Sequence, residues 1–157
     1  MMTKTMKKAL GAVAIAIATA AFAAPSFAAD VTVKELNKGP DGFFAFSPDF
    51  VKINPGDSID FVAADKGHDV QSVAGMIPAG AQPFKTQISQ DGKVTFTTPG
   101  VYVYECQPHT SLGMVGVVVV GSAGNLSQID ASKLPPLAQK RLAGLLQQAR
   151  TSTASAR

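Results

Sequence analysis

The sequence predicts an all-β sandwich followed by helices. Three observations carry this: short alternating segments rich in β-branched and aromatic residues, turn signals between them, and a change of composition after Gly121. Val31-Thr32-Val33 opens the series of strands. Phe43 to Phe46, Phe50 to Ile53, Ser58 to Val62, Lys93 to Thr97, Val101 to Tyr104 and Met114 to Val120 continue it. Between them lie Lys38-Gly39-Pro40-Asp41-Gly42, Asn54-Pro55-Gly56-Asp57, Gln90-Asp91-Gly92 and Thr98-Pro99-Gly100, the residue types that favour turns. Seven or eight strands at this spacing fit two packed sheets.

From about residue 125 the pattern is helical. Leu134, Leu137, Ala138, Leu142, Leu145 and Ala149 fall close to one helical face, and Pro135 and Pro136 suit its first turn. A shorter helix from Leu126 to Ala131, capped by Asn125, is expected before it. The amphipathic tail is expected to pack on the sandwich; a partner-binding helix is the competing reading. Thr151 to Arg157 read as a frayed polar end, and no internal repeat is present.

The N-terminus is of another kind. Lys4, Lys7 and Lys8 precede an apolar run from Ala9 to Ala24, and Pro25-Ser26-Phe27-Ala28-Ala29 follows with small residues at the positions a signal peptidase reads. Residues 1–28 are therefore expected to be a signal peptide, leaving one domain over residues 29–157 that includes the helical tail. A retained anchor is the alternative, but sixteen apolar-run residues fall short of the roughly 20 that span a bilayer. No Cys marks a lipidation boundary and no twin-Arg pair precedes the run, so export to the periplasm as an unfolded chain is expected.

The formal charge of +3 resides in the three leader lysines, and the remainder balances 11 Lys and Arg against 11 Asp and Glu. Without a basic excess there is no support for nucleic-acid binding. The single Cys, in a chain bound for an oxidising compartment, cannot form an intramolecular disulfide. By count alone Cys106 could be a buried thiol, an intermolecular partner, a nucleophile or a metal ligand.

Its neighbours decide. The loop Tyr104-Glu105-Cys106-Gln107-Pro108-His109-Thr110-Ser111-Leu112-Gly113-Met114 places a thiolate, an imidazole and a thioether within nine residues between two apolar strands. The one other histidine is His68, in Lys66-Gly67-His68-Asp69-Val70. Together they offer His₂Cys plus Met. A trigonal His₂Cys plane with a weak axial Met suits both oxidation states of copper, whereas structural zinc prefers four Cys or His ligands.

These residues resemble the pseudoazurins among the cupredoxins. The resemblance covers nearly all of residues 30–150, with further matches at Leu36-Asn37-Lys38-Gly39, Val51-Lys52-Ile53-Asn54-Pro55-Gly56-Asp57, Asp65-Lys66-Gly67-His68 and Met76-Ile77-Pro78-Ala79-Gly80-Ala81. It implies an eight-stranded Greek-key cupredoxin sandwich with two C-terminal helices and one copper ion held by His68, Cys106, His109 and Met114. The implied role is a soluble, monomeric periplasmic electron shuttle without stable membrane association, whose partners are copper nitrite reductases and c-type cytochromes. It also implies an apolar docking patch around His109 from Pro108, Leu112, Met114, Phe44, Ile77 and Pro78, ringed by Lys38, Lys66 and Lys85 and suited to acidic-faced partners. Phe44 is a candidate neighbour of the metal ligands, with a core position as its alternative.

Three positions depart from the family pattern. Asp69 stands where Asn is usual, Gln107 where Thr is common, and Glu105 where many relatives carry Lys. The Asp69 carboxylate is expected to accept from the Gln107 amide and so tie the ligand loops together, and Glu105 to weaken the lysine ring. A cysteine hydrolase is disfavoured because no free base or oxyanion-binding turn adjoins Cys106. A carrier that delivers copper rather than electrons is the better rival, although only Met76 and Met114 lie outside the leader. A c-type haem lacks its C-x-x-C-H motif.

Overall fold

The computed structural model describes residues 28–154; residues 1–27, and with them almost all of the expected signal peptide, lie outside the described residues, as do residues 155–157. Among the described residues the alternating segments become eight strands: β1 (Asp30–Gly39), β2 (Gly42–Ser47), β3 (Phe50–Ile53), β4 (Ser58–Val62), β5 (Gln71–Ser72), β6 (Gly92–Thr95), β7 (Gly100–Glu105) and β8 (Val115–Val120). They form two four-stranded sheets, ordered β2-β1-β4-β6 and β3-β8-β7-β5. The β1/β4 and β3/β8 pairs are parallel, so the chain crosses between sheets rather than meandering through one.

The inner faces meet in a core of Val33, Phe46, Val51, Ile53, Ile59, Phe61, Phe96, Tyr102, Tyr104, Val118 and Val120. Aromatic pairs knit it, with Phe46 and Phe61 on Tyr104 and Phe84 on Phe96. β8 shows no alternation of burial at all, because all six of its residues are buried. Its even-numbered valines Val118 and Val120 enter the sandwich core, while Val115, Val117 and Val119 enter a second core beneath the C-terminal helix α1 (Pro136–Ala154). That helix lays Ala138, Leu142, Leu145, Leu146 and Ala149 onto the outer face of β7 and β8. Each fully buried Leu contributes roughly 2 kcal/mol through the apolar area it removes from water.

The eight-stranded sandwich and the packed tail agree with the sequence reading, while several details differ. β1 extends six residues past Val33, and β5, which sequence reading did not find, is a two-residue rung on β7. The expected helix from Leu126 to Ala131 is a pair of 3₁₀ turns, Leu126–Gln128 and Ala131–Lys133. Asn125 does not cap it through its side chain, because that amide bonds Val101 instead, accepting from its N–H at 2.7 Å and donating to its carbonyl at 2.9 Å. Within α1, Leu137 is exposed and Leu146 takes the buried place, since the buried stripe runs through 138, 142, 145 and 149 and leaves 137 beside it. Thr151 to Ala154 continue the helix rather than fraying. Among the described residues no helix is long and apolar enough to cross a membrane.

Candidate metal centre

β7 ends at Glu105, which pairs with Val115 at the start of β8, so residues 106–114 form the loop between two adjacent strands. Pro108 starts a 3₁₀ turn over Gln107–Leu112, and Gly113 ends it in the left-handed region at φ 89°. A side chain at Gly113 would also press on the Leu137 carbonyl of α1, which makes glycine necessary there. The loop is laced to itself: Cys106 N–H donates to Met114 O at 3.0 Å, His109 N–H to Cys106 O at 3.0 Å, and Met114 N–H to His109 O at 3.2 Å. Three candidate ligands thus share one short, cross-bonded loop.

The fourth arrives from the connection between β4 and β5. His68 is fully buried and meets the loop with its Nδ1, at 3.6 Å from Cys106 Sγ and 3.0 Å from His109 Nδ1; the remaining edge, from Cys106 Sγ to His109 Nδ1, is 3.4 Å. A point equidistant from these three atoms lies about 2 Å from each, close to the roughly 2.0–2.3 Å of metal–nitrogen and metal–sulfur bonds. The set is the one group of convergent His, Cys or carboxylate ligands among the described residues. Met114 is fully buried in the same core cluster as Cys106.

The surroundings orient these atoms. Asn37 Oδ1 lies 3.0 Å from His68 Nε2, so that nitrogen carries the proton and Nδ1 turns a lone pair to the centre. Burial and the neighbouring His109 hold His68 below the ordinary imidazole range, which keeps it neutral. In the metal-free protein, burial pushes the Cys106 thiol up to about 11, against the pull of the Asp69 and His109 backbone N–H groups on the sulfur. A soft metal ion must therefore displace a proton from it. Two imidazole nitrogens and a buried thiolate, without a fourth Cys or His, fit copper.

The departures from the family pattern resolve into specific contacts. Asp69 is fully buried and its Oδ1 accepts from the backbone N–H of Gln107 at 2.7 Å, so the expected tie between the ligand loops is made through the main chain and not the side-chain amide. The Gln107 side chain instead accepts from Lys85 Nζ at 2.9 Å, and that ammonium also lies 3.7 Å from Asp69 Oδ2. Glu105 is engaged by Gln71 Nε2 at 2.9 Å and Thr110 Oγ1 at 3.0 Å, which makes it a brace for the loop.

His109 is partly exposed. Phe44 stacks on the imidazole with ring centroids 4.6 Å apart, and Pro108 and Leu112 are exposed on the loop. Lys38, Lys66 and Lys85 are exposed, Lys38 lying over Phe43 and Lys66 bonding the Ser89 carbonyl. Pro78 does not join them. It is buried against Gly100 and Asn125, at the opposite end of β7 from Cys106, and Ile77 packs on the sandwich core beside it. Met114 is likewise buried rather than at the surface. Sequence reading missed Asn37, although it quoted the Leu36-Asn37-Lys38-Gly39 segment, and it missed the exposed Leu137 beside the loop. Only their place in the fold reveals these roles.

Residues 33–121 match the model of the copper binding proteins of the plastocyanin/azurin family. A pseudoazurin of Paracoccus pantotrophus is 44% identical over 130 residues, spanning 82% of this chain and 90% of the relative. A pseudoazurin of Methylorubrum extorquens is 45% identical over 141 residues, spanning 89% and 93%. The crystal structure of pseudoazurin from Methylobacterium extorquens AM1 superposes with a TM-score of 0.72 at 43% identity, covering 76% of this chain and 98% of that one. Sequence, fold and donor geometry agree, and the chain belongs to the plastocyanin/azurin family of copper binding proteins, among the pseudoazurins, which are blue copper electron carriers and not enzymes.

Proposed function

We propose that His68 Nδ1, Cys106 Sγ and His109 Nδ1, together with Met114, would hold the copper ion, and that the protein carries single electrons between periplasmic redox proteins. The observation that carries this is the triangle of donor atoms with edges of 3.0, 3.4 and 3.6 Å. Copper would supply the Cu(I)/Cu(II) couple, which a donor set of two His, one Cys and one Met accommodates in both states. The chain holds these donors in place: Asn37 fixes the His68 ring, Asp69 ties the two ligand loops, and the bond from Cys106 N–H to Met114 O closes the loop. Zero exposure of His68, Cys106 and Met114 supports electron transfer over metal delivery, which needs ligands that a recipient can reach.

His109 is the ligand through which an electron reaches the surface. Exposed Pro108, Leu112 and Leu137 give an apolar centre, and Lys38, Lys66 and Lys85 a cationic rim. This supports brief encounters with acidic faces of a copper nitrite reductase or a c-type cytochrome, since long-range attraction sets the on-rate while a small contact permits release. The leader-like N-terminus supports export to the periplasm.

Copper(II) added to the purified protein should give one copper per chain and intense thiolate-to-copper absorption in the visible, lost in Cys106→Ser. Weak absorption, or preferential zinc retention without a redox couple, overturns the ligand assignment. For docking, electron transfer to an acidic-faced acceptor should slow as salt rises and the Debye length falls from about 30 Å at 0.01 M to about 10 Å at 0.1 M. Lys66→Ala should flatten that dependence; an unaltered slope removes Lys66 from the docking face.

A further inference from the structure

The register of β1 on β2 pairs Leu36 with Ala45 and Lys38 with Phe43, leaving Asn37 and Phe44 out of the ladder between them. Both omitted residues serve the metal centre, Asn37 by bonding His68 and Phe44 by stacking on His109. Phe44 also adopts φ 46°, a left-handed conformation unusual for a residue with a side chain. Such backbone persists only where its surroundings hold it, at a cost on the order of 1–3 kcal/mol.

What holds it comes from the far end of the chain. Arg141, on the same stripe of α1 as Leu137, donates from Nη1 to the Phe44 carbonyl at 3.1 Å and from Nη2 to the Asp41 carbonyl at 3.4 Å. Gly42 at φ 114° lets the turn pass beneath the guanidinium, where a Cβ would crowd Nη2. The helix thus supplies a donor to a carbonyl that the β1/β2 ladder leaves out.

We propose that Arg141 is a positioning residue for electron transfer, clamping the 41–44 turn so that the Phe44 ring stays against the His109 imidazole. It rests on the reading of His109 as the copper ligand nearest the surface. The stacked ring covers one face of the imidazole from water and restricts its rotation, so that Nδ1 stays aimed at the centre whichever oxidation state is present. A planar fork reaching two carbonyls suits this role, which a lysine point charge cannot reproduce.

The test compares Arg141→Ala, Phe44→Leu and the double variant. In the metal-free protein, NMR reads the upfield ring-current shift that Phe44 imposes on the His109 ring protons. In the copper-loaded protein, voltammetry reads the reduction potential. Each single variant should lose more than half of the ring-current shift and move the potential in the same direction, and the double variant should add little to either single one. Arg141→Lys should recover the shift at most in part. Should Arg141→Ala not fold, Arg141→Gln takes its place and should also lose shift, because one amide cannot span both carbonyls. Wild-type His109 shifts in the Arg141 variant, or effects on potential that simply add, overturn the proposal. If wild-type protein fails to develop the copper absorption, the ligand reading falls, while the metal-free ring shifts still decide the clamp.

Discussion

Glu35 occupies an inward position on β1 that alternation reserves for an apolar residue, and both of its carboxylate oxygens are buried without a hydrogen-bond partner. Burial, reinforced by the charges of Asp69 and Asp91, raises its pKa from 4.5 to about 7. In the unfolded chain it titrates near its ordinary value. Between about pH 4.5 and 7 the folded protein therefore keeps a proton that the unfolded chain has released. The stabilising contribution is complete below that window, falls as pH rises through it, and is absent above it. At about 1.4 kcal/mol per pH unit the change amounts to about 3 kcal/mol. Glu35→Gln keeps the shape and removes the titration. Urea unfolding of the metal-free proteins, followed by circular dichroism from pH 4 to 8, should show the variant gaining about 3 kcal/mol on wild type across the range. Metal-free protein is the right material, because metal binding at Cys106 is itself linked to protons. A difference between the two proteins that is constant with pH would refute the reasoning, since the unpaired amide of Gln can add only a pH-independent offset.

Three further substitutions probe features that the structure explains. Asn125→Ala strands the buried N–H and carbonyl of Val101 and should cost about 1–3 kcal/mol in chemical denaturation, whereas a loss of a few tenths would mean that water replaces the amide. Gly116→Ala drives a methyl into the Tyr104 ring that lies over it and should cost about 1–3 kcal/mol in the same assay; wild-type stability there would contradict the packing. Asp69→Asn retains the acceptor for the Gln107 N–H while removing a buried charge beside the ligands, so voltammetry should show a higher reduction potential. No change would mean that Lys85, 3.7 Å from Asp69 Oδ2, already cancels that charge.

The metal centre was largely legible because its chemistry is concentrated in unusual residue types. A lone Cys, two histidines and a Met placed in loops between apolar strands leave few ways to converge. Strands whose two faces see different surroundings were legible for the same reason, and β3 and β4 match their expected limits. The far half of β1 was hidden by Glu35, which reads as polar although it points inward. β5 was invisible because two polar residues carry no periodicity, and its existence depends on β7 lying alongside. Asn125 misled because an amide that suits a cap suits a buried carbonyl and N–H equally well. Arg141 and Asn37 act across 97 and 31 residues of chain. No local pattern could announce them.

The double coverage of β7 and β8 bears on how the site comes apart. Those strands lie in the middle of their sheet, with the sandwich core on one face and α1 on the other, so their amides should be among the last to exchange with solvent. Cys106, His109 and Met114 are carried by the loop that joins them. His68 belongs to a segment anchored by the two residues of β5, by bonds to Glu35, Asn37, Thr86, Ser89 and Asp91, and by the tie from Asp69 to the Gln107 N–H. A fluctuation that breaks the Asp69–Gln107 tie and opens the 63–70 segment would move His68 while the loop between β7 and β8 keeps Cys106, His109 and Met114 together. Reversible loss of the ion should therefore begin on the His68 side, which lies outside the doubly covered strands.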